Sequence, residues 1–235
     1  MMLKKLALAS AFVLYMTILG GTAWGDNIPI VNPSFDTNPG VLIPNCSLGG
    51  PTCAFNSGAI FGWSTGNGGV WQPGTYFPGL PVGDLIGYTN AVNSLSQQLT
   101  GTSALANSIY TLSVFVGDRA IDGLSGNYTL SLDTILGGVV TSTLCSVSGN
   151  ASSIASGTFQ LVSCSSPSLS SVPSGDLYVQ LSANSGQLDV DNVSLTVQSA
   201  NSIPEPSSIL LLGVGMFFLL STVIVGKKRE LQLTA

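Results

Sequence analysis

The chain has 235 residues, 45% of them hydrophobic and 7% charged, with no histidine and a formal net charge of −5. Soluble cytosolic domains carry about 25% charged residues, and a chain without histidine excludes His-based acid–base and triad chemistry. Its basic residues sit at the two ends (Lys4, Lys5, Lys227, Lys228, Arg229) with Arg119 alone between them, which removes the electrostatic basis of nucleic-acid binding.

In chain order, the first element predicted is a secretory signal peptide over residues 1–25. Lys4 and Lys5 form a charged n-region, Leu6 to Leu19 an apolar stretch, and Ala23-Trp24-Gly25 a small-residue cleavage site before Asp26. The competing reading is an uncleaved anchor, for which the apolar stretch falls short of the roughly 20 residues a span requires. Residues 26–200 then lack helical periodicity and show short alternating runs. Tyr110, Leu112, Val114 and Val116 alternate with Thr111, Ser113 and Phe115. Tyr128, Leu130 and Leu132 repeat the pattern, as do Leu177, Val179 and Leu181. Alternation of this kind predicts antiparallel strands with one apolar face each, and many such strands punctuated by Gly, Asn, Ser and Pro predict an all-β sandwich. In "GQLDVDNVSLTVQ" the apolar parity changes, Leu188 and Val190 on one phase, Val193, Leu195 and Val197 on the other. A β-bulge near Asp191-Asn192 restores a single buried face.

After the domain come a linker over 201–206 containing Pro204-Glu205-Pro206, an uncharged apolar run over 207–226, and a basic tail over 227–235. At 1.5 Å per residue the apolar run matches a ~30 Å hydrocarbon core. The basic cluster after it places the C-terminus in the cytoplasm and the β-domain outside. The expected organisation is a signal peptide, an exported β-sandwich domain and a single C-terminal transmembrane helix.

Cys46, Cys53, Cys145 and Cys164 all fall in the exported part, where an even number favours disulfides. Of the possible pairings, the local ones, Cys46–Cys53 and Cys145–Cys164, are expected. Zinc competes poorly, without histidine or a Cys-x-x-Cys pair. The exported part also lacks lysine and glutamate, so its carboxylates are all aspartates. A glycosidase needs two carboxylates about 5–10 Å apart. Asp118 and Asp122 flank Arg119 in "GDRAIDG", and read as a polar loop after a strand. No nucleophile elbow or phosphate loop is present, and the domain is expected to be non-catalytic. Binding fits better. The segment "GWSTGNGGVWQPGTYFPGLPVGDLIGY" sets Trp63, Trp71, Tyr76, Phe77 and Tyr88 among Gly and Pro, and aromatic faces suit the apolar C–H faces of sugar rings. Trp71, Tyr76 and Phe77, in a loop-like stretch, are the expected carbohydrate-binding residues. Trp63 reads as core, and the alternative is that all five pack in the sandwich.

Two resemblances extend this reading. Pro204-Glu205-Pro206, the apolar run and the basic cluster resemble the PEP-CTERM sorting tail of Gram-negative bacteria that make extracellular polysaccharide. The resemblance implies an inner-membrane exosortase as partner, cleavage near the motif, and delivery from the inner membrane to the cell surface or a biofilm matrix. Over Ile28 to Val197, "IVNPSFD", "FGW", "SLSQQLTG" and "LDVDNVSL" resemble the jelly-roll carbohydrate-binding modules of the galactose-binding-like superfamily. That resemblance implies a structural calcium between Asp36 and Asp191, although many members carry Glu where Asp36 stands. Calcium takes six to eight oxygens at about 2.3–2.6 Å; the alternative is a pair of solvated carboxylates. The function expected is a surface or matrix protein that binds extracellular polysaccharide through a jelly roll. The alternative is a structural or adhesive protein with no sugar site, and a glycoside hydrolase comes third.

Overall fold

The computed structural model describes residues 25–200, apart from 38–39, 45–52 and 122. The signal peptide, the linker with its Pro-Glu-Pro, the apolar run and the basic tail lie outside the described residues. Residues Gly25–Ala200 form one compact unit. Its regular structure is strand apart from two short 3-10 turns, Gly74–Tyr76 and Ala151–Ser153. Among the described residues no helix is long and apolar enough to cross a membrane.

The larger sheet holds β1 (Asp26–Ile28), β2 (Ile43–Pro44), β3 (Ala54–Ser57), β5 (Gly68–Gln72), β6 (Ile86–Asn90), β8 (Ser108–Asp118), β11 (Thr158–Ser165) and β13 (Gln187–Ser199). The smaller holds β4 (Ser64–Thr65), β7 (Asn93–Ser103), β9 (Asn127–Leu136), β10 (Val139–Asn150) and β12 (Asp176–Ala183). Their strand orders are β11-β8-β13-β6-β5-β3-β2, with β1 also on β13, and β10-β9-β12-β7-β4. Every strand pairing is antiparallel, and the antiparallel sandwich expected from the alternation is the observed fold.

The alternating residues behave as their period requires. Leu112, Val114 and Val116 of β8, Leu130 and Leu132 of β9 and Leu177, Val179 and Leu181 of β12 are sealed in one core. The first and last strands pair, Asp26 opposite Val197. The parity change in β13 is resolved by the expected bulge. The register with β8 shifts between Asp191 and Ser194, and Asn192 takes φ +46°, a conformation that Asn tolerates better than most residues. The bulge is also where the partner on one edge of β13 changes, β6 before it and β1 after it. Cys145 of β10 and Cys164 of β11 are bonded; these are outermost strands of the two sheets, so the disulfide ties the layers along one side. Cys53 is disulfide-bonded too, while Cys46 lies outside the described residues.

One expectation needs correcting. Not every strand has a single apolar face. In the larger sheet Phe55, Trp71 and Ile86 stand in one cross-strand row, and Tyr88, Asp189, Gly117 and Phe159 in the next. The chain after β5 folds back over these rows. Trp71, Tyr76, Phe77, Ile86 and Tyr88 thus build a second cluster, with Phe55, Leu80 and Phe159 against it. Gly117 is what admits it, because a Cβ there would lie 2.8 Å from both the Phe77 and the Phe159 rings.

Seven of the connections gather at the two ends of the sandwich. Residues 104–107, 137–138 and 166–175 join strands at the pole where β1 begins and β13 ends. Residues 91–92, 119–126, 151–157 and 184–186 lie at the opposite, distal pole.

Candidate functional site

A cavity of about 200 Å³ opens over the second cluster, lined by Phe55, Trp71, Tyr76, Tyr88, Asn90, Arg119 and Gln187. Its position follows from the strand ends. Asn90 closes β6 and faces Gln187, which opens β13; Arg119 follows β8 directly. The cavity therefore sits toward the distal pole.

Its charges are buried and paired. Arg119 Nε donates to Asp189 Oδ2 at 2.9 Å, and Gln187 Nε2 donates to Asp189 Oδ1 at 2.8 Å. Asp189 is fully buried and Arg119 is 8% exposed. The guanidinium carbon lies 4.2 Å from the Trp71 ring centre and 5.4 Å from that of Tyr76. An ion taken from water needs such compensation, and both the carboxylate and the π faces supply it. "GDRAIDG" begins in the site, with Asp118 buried as well, and runs on from Ala120 as the exposed loop after a strand that was expected. The sequence signal was a lone arginine in a lysine-free domain. Its partner, 70 residues away, carried no local sign.

The expected sugar-binding aromatics divide. Trp71 and Tyr76 line the cavity. Phe77 is buried beside it, edge-on to Trp71 at 6.2 Å and against Phe159 at 4.5 Å. All three are at most 5% exposed: they are walls and support, not an open platform. The Trp71 indole N–H is buried with no hydrogen-bond acceptor. The Tyr88 hydroxyl is shared with Ser57 at 2.9 Å. Trp63 is core, tilted on Phe35 at 5.3 Å, its indole N–H donating to the Val31 carbonyl at 3.0 Å.

The fold brings Asp36 and Asp191 to one loop. Asp36 Oδ1 accepts from the amides of Asp84 and Leu85 at 3.0 and 3.1 Å, and Asp191 Oδ2 from that of Val82 at 3.0 Å. Asp191 Oδ1 accepts from Asn192 N–H at 2.7 Å. Burial pushes the Asp191 carboxyl up to about 7, and the Asp36 charge adds to the rise. Backbone amides hold these oxygens, and among the described residues no group of three or more metal-ligating side chains gathers here or elsewhere. Side chains alone supply two carboxylates, so a calcium ion at this place would draw its other oxygens from the backbone and water.

Comparison with known proteins adds the following. A model of the PEP-CTERM protein-sorting motif matches residues 202–225. That motif marks the chain for export and exosortase-dependent surface sorting. No curated protein matches. Among solved structures, an apo cyclase from Fischerella sp. overlies 77% of this chain and 100% of its own at 20% identity and TM-score 0.59. A cyclase from Fischerella sp. TAU overlies 76% and 100% at 22% identity and TM-score 0.56. The CBM22-1 xylan-binding domain of Paenibacillus barcinonensis Xyn10C overlies 75% and 97% at 12% identity and TM-score 0.45. A family model described as HpiC1 cyclase matches residues 26–196, nearly all of the exported domain, and the chain belongs to this HpiC1-like family.

Proposed function

We infer that the exported domain binds a sugar unit of extracellular polysaccharide in the aromatic cavity. The observation that carries this reading is the cavity's make-up: aromatic walls from Phe55, Trp71, Tyr76 and Tyr88, with the Asn90 and Gln187 amides and Arg119 among them. Such a surface offers apolar area to a ring face and hydrogen-bonding groups to its edge. At about 200 Å³ the cavity is below the 300–1,000 Å³ of pockets for drug-sized ligands. It suits one ring, such as the end of a glycan chain, better than a run of residues. In this reading Trp71 and Tyr76 touch the ligand and Phe77 supports them. The PEP-CTERM tail holds the chain in the inner membrane until an exosortase processes it. A calcium ion bridging Asp36 and Asp191, fastening the first loop to the last strand, belongs to the same proposal.

The test is a glycan array and calorimetry on residues 25–200, which form a compact unit with its own core, beside Trp71→Ala and Tyr76→Ala. The expected result is binding that both variants weaken at least about tenfold, the loss of roughly 1.4 kcal/mol. Absence of binding to any glycan, the host polymer included, would return the domain to a structural or adhesive role.

The family favours a second reading, a cyclase acting on a small substrate. Its structural support is a buried acid beside an aromatic cavity whose rings already hold a cation. A structure of one Fischerella cyclase contains an indole-bearing ligand. Against it, both oxygens of Asp189 accept hydrogen bonds, an arrangement unsuited to handing on a proton. Turnover of an indole-bearing alkene by the intact chain, lost in Asp189→Asn, would establish this reading over the first.

A further inference from the structure

The terminal pole, where the chain enters β1 and leaves β13, exposes a group of aliphatic side chains. Leu136, Val139 and Val140 flank the β9–β10 turn, Leu105 lies between β7 and β8, and Val172 between β11 and β12; they are 59%, 66%, 46%, 57% and 51% exposed. Three separate connections thus carry aliphatic side chains to one end of the sandwich. The turn among them is Gly137-Gly138, with φ of +60° and +81°. That is the tight two-residue hairpin geometry, so Leu136 and Val139 are held directly opposite each other. Charge is scarce here. Asp176 has its carboxylate turned to Gln98 Nε2 at 2.9 Å and the Gly101 amide at 3.2 Å, Asp26 starts β1, and Arg119 lies at the distal pole.

We propose that this pole is a membrane-resting surface whose partner is the lipid bilayer interface. The length and end point of the remaining chain select that partner. β13 ends at Ser199, and the apolar run begins at Ser207. At about 3.3–3.6 Å per residue, the linker over 201–206 reaches roughly 20 Å, so insertion of the apolar run keeps the terminal pole near the headgroups. A surface with exposed aliphatic side chains at that distance enters the interface, as apolar faces do to a depth of about 5–10 Å. The distal pole, with its cavity, then points outward. The inference rests on insertion of the tail and is independent of what the cavity binds.

The experiment uses the full chain reconstituted in phosphatidylcholine vesicles, with tryptophan introduced as Val139→Trp at the terminal pole or Val92→Trp at the distal pole. Both positions are exposed, and the wild type supplies the baseline from its own tryptophans. The added emission of Val139→Trp is expected to be blue-shifted and mostly lost when the lipid chains are brominated, while that of Val92→Trp is unaffected. Equal quenching at both sites, or none at either, overturns the proposal. So does a soluble 25–200 unit whose sedimentation shows a dimer that Val139→Lys abolishes, since the pole would then be an interface between copies. Adding anionic lipid or salt is expected to leave the quenching unchanged, because the surface is aliphatic; a requirement for either overturns it.

Discussion

Replacing Arg119 with methionine tests whether the site is held together by charge. The substitution keeps a long apolar stem and deletes the guanidinium. Asp189, fully buried, then loses the 2.9 Å donor on one oxygen and keeps the amide of Gln187 on the other. Breaking a buried pair by removing one partner costs about 3–5 kcal/mol, mostly because a buried charge is left uncompensated. For a domain of this size each kcal/mol lowers the melting temperature by about 2–4 °C, so Arg119→Met is expected to melt roughly 6–20 °C below the wild type. The assay is thermal unfolding of the 25–200 unit by circular dichroism at pH 7. The second arm is the double variant Arg119→Met with Asp189→Asn. Removing both charges avoids the uncompensated ion, so the double variant is expected to recover at least half of the loss. A drop of less than about 2 °C for the single variant would refute this account of the site, as would a double variant no more stable than Arg119→Met.

Gly117→Ala drives a methyl into the Phe77 and Phe159 rings; overpacking of this kind costs about 1–3 kcal/mol, read as a lower melting temperature with altered Trp71 fluorescence. Cys145→Ser with Cys164→Ser opens the link across the 19-residue separation and is expected to cost about 3 kcal/mol by loop entropy, again read by melting. For Asp191, the carboxyl stands at about 7 in the fold against an ordinary 3.8, so the folded state takes up a proton across that window. Its contribution to stability is complete below about pH 4 and falls as pH rises toward 7; melting of the wild type relative to Asp191→Asn should follow that slope. Calcium bound between Asp36 and Asp191 would act in the opposite sense. It raises the melting temperature at pH 7 and does so less as pH falls and protons compete; a midpoint unchanged by chelator removes calcium from the proposal.

What the sequence made legible was whatever repeats locally. The two-residue period of Leu112-Val114-Val116 and Leu177-Val179-Leu181 marks buried strand faces because successive side chains point to opposite sides. The broken parity around Asp191 marked the bulge for the same reason. The Cys145–Cys164 bond was legible from proximity in the chain. The second cluster was not. Trp71 and Tyr76 sit in a Gly- and Pro-rich stretch that looks solvent-facing, and only its folding back over β6 and β13 buries them. The Arg119–Asp189 pair was hidden by its 70-residue separation. Nor did alternation show that Asp189, out of phase with Leu188 and Val190, would face a covered surface rather than water. The cyclase family was not anticipated from the residues at all.

β13 has a mechanical consequence. Its first residues, Gln187 and Asp189, belong to the cavity region, and its last, Ser199, leads to the tail. At about 3.3 Å per residue, these 13 residues form a tie of roughly 40 Å running between the two poles. A pull on a ligand held at the distal end would reach an anchor at the tail along this one strand. β8 grips most of one edge, and β6 and then β1 grip the other, so the load falls on many hydrogen bonds in shear together rather than on each in turn. If the apolar run anchors the chain and the cavity holds a ligand, a domain strung this way would resist being torn from the membrane. Cutting the tail near Pro204-Glu205-Pro206 would release that tension without disturbing the cavity.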